Sequence, residues 1–259
     1  MSFGPWLLFK MHLGTSVEVV NIIGASGTIG ALEAKNSRAD GNTIYGTDDY
    51  LHLVHLTGRT EISYRDFDPI CLVAATPSVL AASARTPWRN WQEFVDDARR
   101  RPGEISAAAT PGTTSEFFLV SLEKRANIKL KIVTYEGSAT RWAAILAGKV
   151  DLTDSNLTQK DKADDRQLKF LAIAAERRTA EVPDVPTLRE VDIDVVKEVK
   201  RGLVIPKGAP SWVRARLVEA RRKATSEPAF EAALTRLGTR VAFLDDHQYS
   251  ALMERLDEE

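Results

Sequence analysis

The stretch that decides the fold is "EISAAATPGTTSEFFLVSLEKRANIKLKIVTYEGSATRWAAILAGKVDLTDS", residues 104–155. It states one plan twice. "EISAAAT" reads as a strand, Pro111-Gly112 as a turn, and "TSEFFLVSLEKRA" as a helix whose capping box is Thr113 and Glu116. "KIVTYE" then reads as a strand, Gly137 as a turn, and "SATRWAAILAG" as a helix stopped by Gly148. "VDLTDS" and "LKFLAIAA" follow as strands. Strand–helix alternation of this kind predicts an α/β protein with a mostly parallel sheet and helices on both faces.

Outward from this core, "NWQEFVDDARRRPG" (90–103) is a helix. Asn90 and Glu93 form its capping box, Trp91, Phe94, Val95 and Ala98 its apolar stripe, and Pro102-Gly103 its stop. Upstream lie strands at Val17–Ile23, Thr43–Gly46, Phe67–Ala74 and Val79–Ala84. Pro5 to Leu13 reads as a helix ended by Gly14. Beyond "RGLVIPKGAP" the chain turns helical, with Val213, Leu217, Ala220 and Ala224 on one face, Phe230, Leu234 and Leu237 on the next, closed by Gly238, and a last helix carrying Tyr249, Leu252 and Leu256.

The chain has 259 residues, 44% hydrophobic and 27% charged, enough for one large domain or two modest lobes. Its net charge of −1 gives no pull toward nucleic acid or an anionic membrane. The single cysteine, Cys71, sits in the apolar run "PICLVAA" and reads as a buried structural thiol. His52 and His55 have helical spacing, but no cysteine or glutamate cluster completes a metal set, so no metal is expected.

"NIIGASGTIG" (21–30) spaces Gly24, Gly27 and Gly30 as a dinucleotide loop would, with Asp48 about 20 residues on. An NAD(P)-dependent reductase using the Gly24–Gly30 loop is therefore one reading. None of the five tyrosines has a lysine four residues later, which weakens it. The same geometry binds carboxylates, because amides at a helix N-terminus attract anions generally. "ATPGTTSEF", "YEGSATRW" and "YGTDDY" have the same look, and several such loops in one α/β chain suggest one small anionic ligand.

The chain from about Thr15 onward resembles the substrate-binding proteins of tripartite tricarboxylate transporters, the Bug or TctC family. "VEVVNIIGASGTIG" is similar to the family's V-V-V-E-N-R-x-G-A-G-G-T-I-G, and "SRADGNT" to A-x-x-D-G-Y-T. "YRDFDPICLVA" is similar to Y-D-x-x-K-D-F-x-P-V-A-L-V-A, and "YEGSATRWAAILAGKVDL" to Y-K-G-x-x-x-A-x-x-x-L-L-G-G-x-V-D. "PDVPTLRE" and "GLVIPKGAP" are similar to P-D-V-P-T-x-x-E and G-L-L-A-P-A-G-T-P.

The resemblance implies a two-lobed periplasmic-binding-protein fold (type 2, clamshell) with two chain crossings, at "VLAASAR" and "VKRGLVIP". Lobe I would be residues 1–79 plus 204–259, and lobe II residues 80–203. It implies a non-enzymatic, cofactor-free solute receptor. A small carboxylate would be held between the lobes and delivered to the membrane permease of a tripartite tricarboxylate transporter. The receptor would be a monomer, periplasmic or extracytoplasmic, with no nucleic-acid partner. Gly24, Ala25, Ser26, Gly27 and Thr28 would be lobe I donors, with Thr47 and Asp48 edging the pocket. Thr110, Gly112, Thr113, Thr114 and Ser115 would be lobe II donors, Tyr135 and Gly137 a wall, and Asp154 and Ser155 the end of the next strand. Donors of this kind are backbone amides and hydroxyls, and no arginine clamp is expected. The family's secretion signal, first strand and P-x-P-P-G-G loop have no counterpart in the chain, so lobe I is expected to be incomplete at its N-terminus. A truncated, non-binding relic is the remaining alternative. Asp48 and Asp49 stand where the family has small or neutral residues.

Overall fold

A computed structural model of the chain describes residues 12–22 and 24–258. Most of the N-terminal helix expected from Pro5 lies outside the described residues. His12 and Leu13 are helical, and Gly14 follows at φ 68°, the left-handed stop the sequence predicts.

The chain forms two compact units. One runs to Ala75 and resumes at Lys200, and the other spans Thr76–Val199. The strands of the first unit are β1 (Tyr45–Asp48), the first part of β2 (Phe67–Ser83), most of β7 (Glu198–Pro206), and β8 (Arg240–Leu244). β1 pairs antiparallel with β7, Tyr45 opposite Val204 and Thr47 opposite Gly202, and β8 pairs antiparallel with β2. The period of two along the strands sorts two cores. Leu203 and Ile205 pack with Val213, Leu217 and Phe230, while Val204 packs with Leu51, Phe67, Tyr249 and Met253. The helices are α1 (Thr28–Asn36), α2 (Tyr50–Leu56), α7 (Ser211–Thr225), α8 (Pro228–Thr235) and α9 (Asp246–Glu258). Cys71 is fully buried, and burial pushes its thiol up to about 12, so it is an inert core group.

The second unit holds the rest of β2, with β3 (Ser106–Ala109), β4 (Lys131–Thr134), β5 (Leu152–Asn156) and β6 (Leu168–Ile173). Its helices are α3 (Trp91–Arg100), α4 (Thr114–Ala126), α5 (Gly137–Leu146) and the short α6 (Lys160–Asp164). β3 runs parallel to both β4 and β5. Alanine is a weak strand former, yet Ala107–Ala109 forms the centre of this layer because packing overrides propensity. Ala107 and Ala109 face Phe94, Phe118 and Leu122, and Ala108 faces Ala144 and Ile145. Small side chains there leave room for a helix on each face.

Three expectations need correcting. The two strands read at 67–74 and 79–84 are one continuous β2 of 17 residues. The apparent break is Pro77, which has no N–H to give a ladder. It falls between the residues paired with β8, ending at Ala75, and those paired with β5, starting at Ser78. The sheet is mixed rather than mostly parallel, since β2 runs antiparallel to β5, β6 and β8. Residues 17–22 carry no strand.

Gly202 is closely covered in the first unit. A Cβ there would overlap the hydroxyl and ring of the buried Tyr249. Gly202→Ala should therefore cost about 1–3 kcal/mol, read as a lower urea midpoint. An unchanged midpoint would contradict this packing.

Candidate functional site

Parallel pairing puts the carboxyl ends of β3, β4 and β5 on one edge of the second unit's sheet. In open α/β sheets that edge is where ligands bind, because each strand there hands over to a helix whose N-terminal amides lack intrahelical acceptors. α4 opens at Thr114 and α5 at Gly137, both on this edge. Thr110, Gly112, Thr113, Thr114, Ser115, Tyr135, Gly137, Asp154 and Ser155 all belong to these strand ends or to the turns that leave them.

The loop before α4 is held by its own polar groups. Ser115 Oγ accepts the Thr110 N–H at 2.9 Å, and Thr113 Oγ1 donates to Thr110 O at 2.7 Å. The Thr113–Glu116 capping box does not form. Thr113 makes no side-chain cap, and Glu116 accepts instead from the Gly112 N–H at 2.7 Å. The Gly112 amide is thus engaged inside the loop. Gly112, at φ 71°, takes the left-handed turn that lets it reach Glu116. The Thr113 N–H turns back to Thr110 O at 3.3 Å. Thr114 and Ser115 therefore present the first amides of α4. Asn90 caps α3 by accepting from the Glu93 N–H, but Glu93 accepts from Arg89 N–H, so only half of that box forms.

Tyr135 N–H donates to Ala109 O, and one helical turn beyond Gly137 lies a residue the sequence reading passed over. Arg141 of α5 is buried, and its Nη1 donates to Thr153 Oγ1 at 3.1 Å and to Asp154 O at 3.2 Å. Burial lowers its pKa, against the pull of Asp154. Asp154 is buried as well, and burial pushes its carboxyl up to about 6 despite the Arg141 guanidinium. Ser155 is buried and donates to Asn156 O at 3.2 Å.

In the first unit, Ala25–Gly27 forms a single 3-10 turn feeding α1 at Thr28. Ser26 lies at its centre and Gly24 precedes it. A Cβ on Gly24, at φ 123°, would press on Ile29 Cδ1 at 2.6 Å. The absence of a strand over residues 17–22 removes the strand–loop–helix context that a dinucleotide fingerprint requires. Thr47 and Asp48 end β1. Thr47 is buried with its hydroxyl on Asp48 O, and Asp48 stands across from Arg201. Asp49 is buried and accepts the Lys200 N–H at 3.4 Å. The acids that the sequence sets against an anionic ligand thus have basic neighbours on β7. His52 bonds Met253 O and stacks on Tyr64, and His55 bonds Thr60 O, so their helical spacing serves packing.

These features define a two-lobed α/β fold of the periplasmic-binding-protein type, with carboxyl-end loops and helix N-termini as its candidate binding edge. Over residues 8–257 the chain matches the family described as "Tripartite tricarboxylate transporter family receptor", TctC, and it belongs to that family. It is 32% identical over 244 residues to the "UPF0065 protein in tcbD-tcbE intergenic region" of Pseudomonas sp. (strain P51), covering 89% of this chain and 70% of that one. The fold is similar to that of the periplasmic binding protein BugD, with TM-score 0.91 and 24% identity over 98% of this chain and 88% of that chain. It is similar too to MatC from Rhodopseudomonas palustris with bound malate, with TM-score 0.87 and 24% identity over 97% of this chain and 88% of that chain.

The buried Asp154 sets a pH dependence. Its folded pKa of about 6 lies above the ordinary carboxyl value of 3.8, so the native state holds the proton more tightly between these values. Stability then falls as pH rises through that window, and the full penalty applies above it. Asp154→Asn should raise stability at pH 7.5 by on the order of 1–3 kcal/mol, and the gain should vanish near pH 4. Melts at both pH values check this, and an equal effect at both would contradict it.

Proposed function

We propose that this chain is an extracytoplasmic solute receptor that binds a small carboxylate and delivers it, as a monomer, to the membrane permease of a tripartite tricarboxylate transporter. One observation carries the reading. The carboxyl edge of the second unit's parallel strands gathers the N-termini of α4 and α5, with the buried Arg141 guanidinium at the same edge. Amides at helix N-termini suit a carboxylate without a surface arginine clamp. The family membership and the malate bound by MatC support the same ligand class. In the first unit, the Gly24–Thr28 turn and the end of β1 are the proposed donors.

Thr114 offers a test, because proline is tolerated at the first helical position and removes the amide donor together with the side-chain hydroxyl. Thr113 is already extended at φ −117°, ψ 172°, as a residue before proline must be. Thr114→Pro should leave the melting temperature close to the parent and weaken dicarboxylate binding by roughly 10- to 100-fold, the worth of one charge-assisted hydrogen bond. Calorimetry with malate, succinate, adipate and citrate, with NADPH as the contrast, provides the readout. Unchanged affinity in Thr114→Pro would remove this amide from the site. NADPH binding that disappears in Gly27→Trp, with no carboxylate binding, would overturn the receptor reading.

A further inference from the structure

Arg141 raises a problem of charge. It is buried in α5, and the acceptors it reaches are neutral: the Thr153 hydroxyl and the Asp154 carbonyl. Its Nε has no hydrogen-bond partner among the described residues, and no ion pair within 4.0 Å among them involves it. Strand alternation sends the Asp154 side chain to the opposite face of β5 from Thr153. The carboxylate therefore attracts the guanidinium through the strand rather than by contact. A buried cation with only neutral contacts is costly, and an anion nearby relieves that cost.

The position of the charge says where that anion belongs. Thr153 pairs with Ala108 and its hydroxyl donates to Ala108 O at 3.0 Å, which fixes the guanidinium against the carboxyl ends of β3 and β5. Two residues on from Ala108 is Thr110, buried, with its Oγ1 unpartnered among the described residues. From Thr110 the chain turns into α4. Two helix N-termini and one fixed guanidinium thus contribute positive potential to one edge of a chain whose net charge is −1.

Resting on the receptor reading above, we propose that Arg141 is the specificity-determining cation of this receptor: a positioning residue behind the Thr110–Ser115 loop that makes the second unit select an ionised carboxylate. It acts through its field and through Thr153 and the end of β5, and the amides of α4 make the contact. Asp154, of opposite sign, moderates it, so the two residues should shift ligand affinity in opposite directions.

The test compares the parent chain with Arg141→Met, Arg141→Lys, Asp154→Asn and Arg141→Met/Asp154→Asn. Dissociation constants for succinate, malate and adipate are measured at pH 7.5 and at two ionic strengths, with a thermal melt of each protein. Arg141→Met should weaken the tightest of these ligands by about 10-fold or more, and Arg141→Lys should restore most of that loss. Asp154→Asn should tighten binding. The double variant, which leaves no lone buried carboxylate, should recover the parent melting temperature while binding more weakly than Asp154→Asn alone and losing part of its salt dependence. Affinity in the double variant equal to that of Asp154→Asn alone would make Arg141 a packing residue and overturn the proposal. Should Arg141→Met fail to fold, the double variant and Arg141→Lys still decide. A parent chain that binds none of the three dicarboxylates would overturn the receptor reading itself, a result distinct from a parent that binds and a double variant that binds as well as Asp154→Asn.

Discussion

The parallel pairing of β3 with β4 and β5 is the constraint on which the candidate site depends. Parallel strands place their carboxyl ends together, and each must then connect through a crossover to the next. Here two of those crossovers are helices, α4 and α5, whose first turns open at the shared edge. The pairing in turn rests on Ala107, Ala108 and Ala109, which have no side chain beyond Cβ and let Phe118 and Leu122 on one face and Ile145 on the other pack against the sheet. A bulky residue at any of the three would push a helix away and move its N-terminus with it. Core packing and site geometry are thus set by the same four-residue strand.

Within that frame, polar groups near the site are mostly committed to one another. Glu116 holds the Gly112 amide, Ser115 holds the Thr110 amide, and Asp49 holds the Lys200 amide. Such bonds fix loops before any ligand arrives, so little reorganisation is left for binding to supply. The groups that stay uncommitted are informative for the opposite reason. Arg141 Nε and Thr110 Oγ1 are buried polar atoms without partners among the described residues. Such atoms are uncommon in folded proteins and concentrate where function requires them.

Much of this was legible in the sequence, for identifiable reasons. The helices at 91–100, 114–126 and 137–146 were readable because each has a turn or cap residue before it and an apolar stripe along it. The carboxyl-edge loops were readable because glycine, threonine and serine cluster there. The continuity of β2 was not, since Pro77 normally ends a strand and only the exchange of pairing partners around it explains its tolerance. Residues 17–22 look like a strand by composition, yet strand formation needs a partner, and none is paired to them in the structure. The Thr113–Glu116 box has the right spacing, but Gly112 offers Glu116 a competing amide. Arg141 was hidden because one arginine on an amphipathic helix reads as a solvated side chain. Only its burial in the structure gives it away.

The central claim is that first-turn amides at the carboxyl edge of the second unit receive a carboxylate. The most direct measurement is an amide-resolved nuclear magnetic resonance titration of the full chain with malate. The account predicts saturable shifts of the Thr114, Ser115 and Gly137 amides, with the Gly112 amide, already held by Glu116, moving less. Saturation with malate that leaves those three amides unmoved would contradict it.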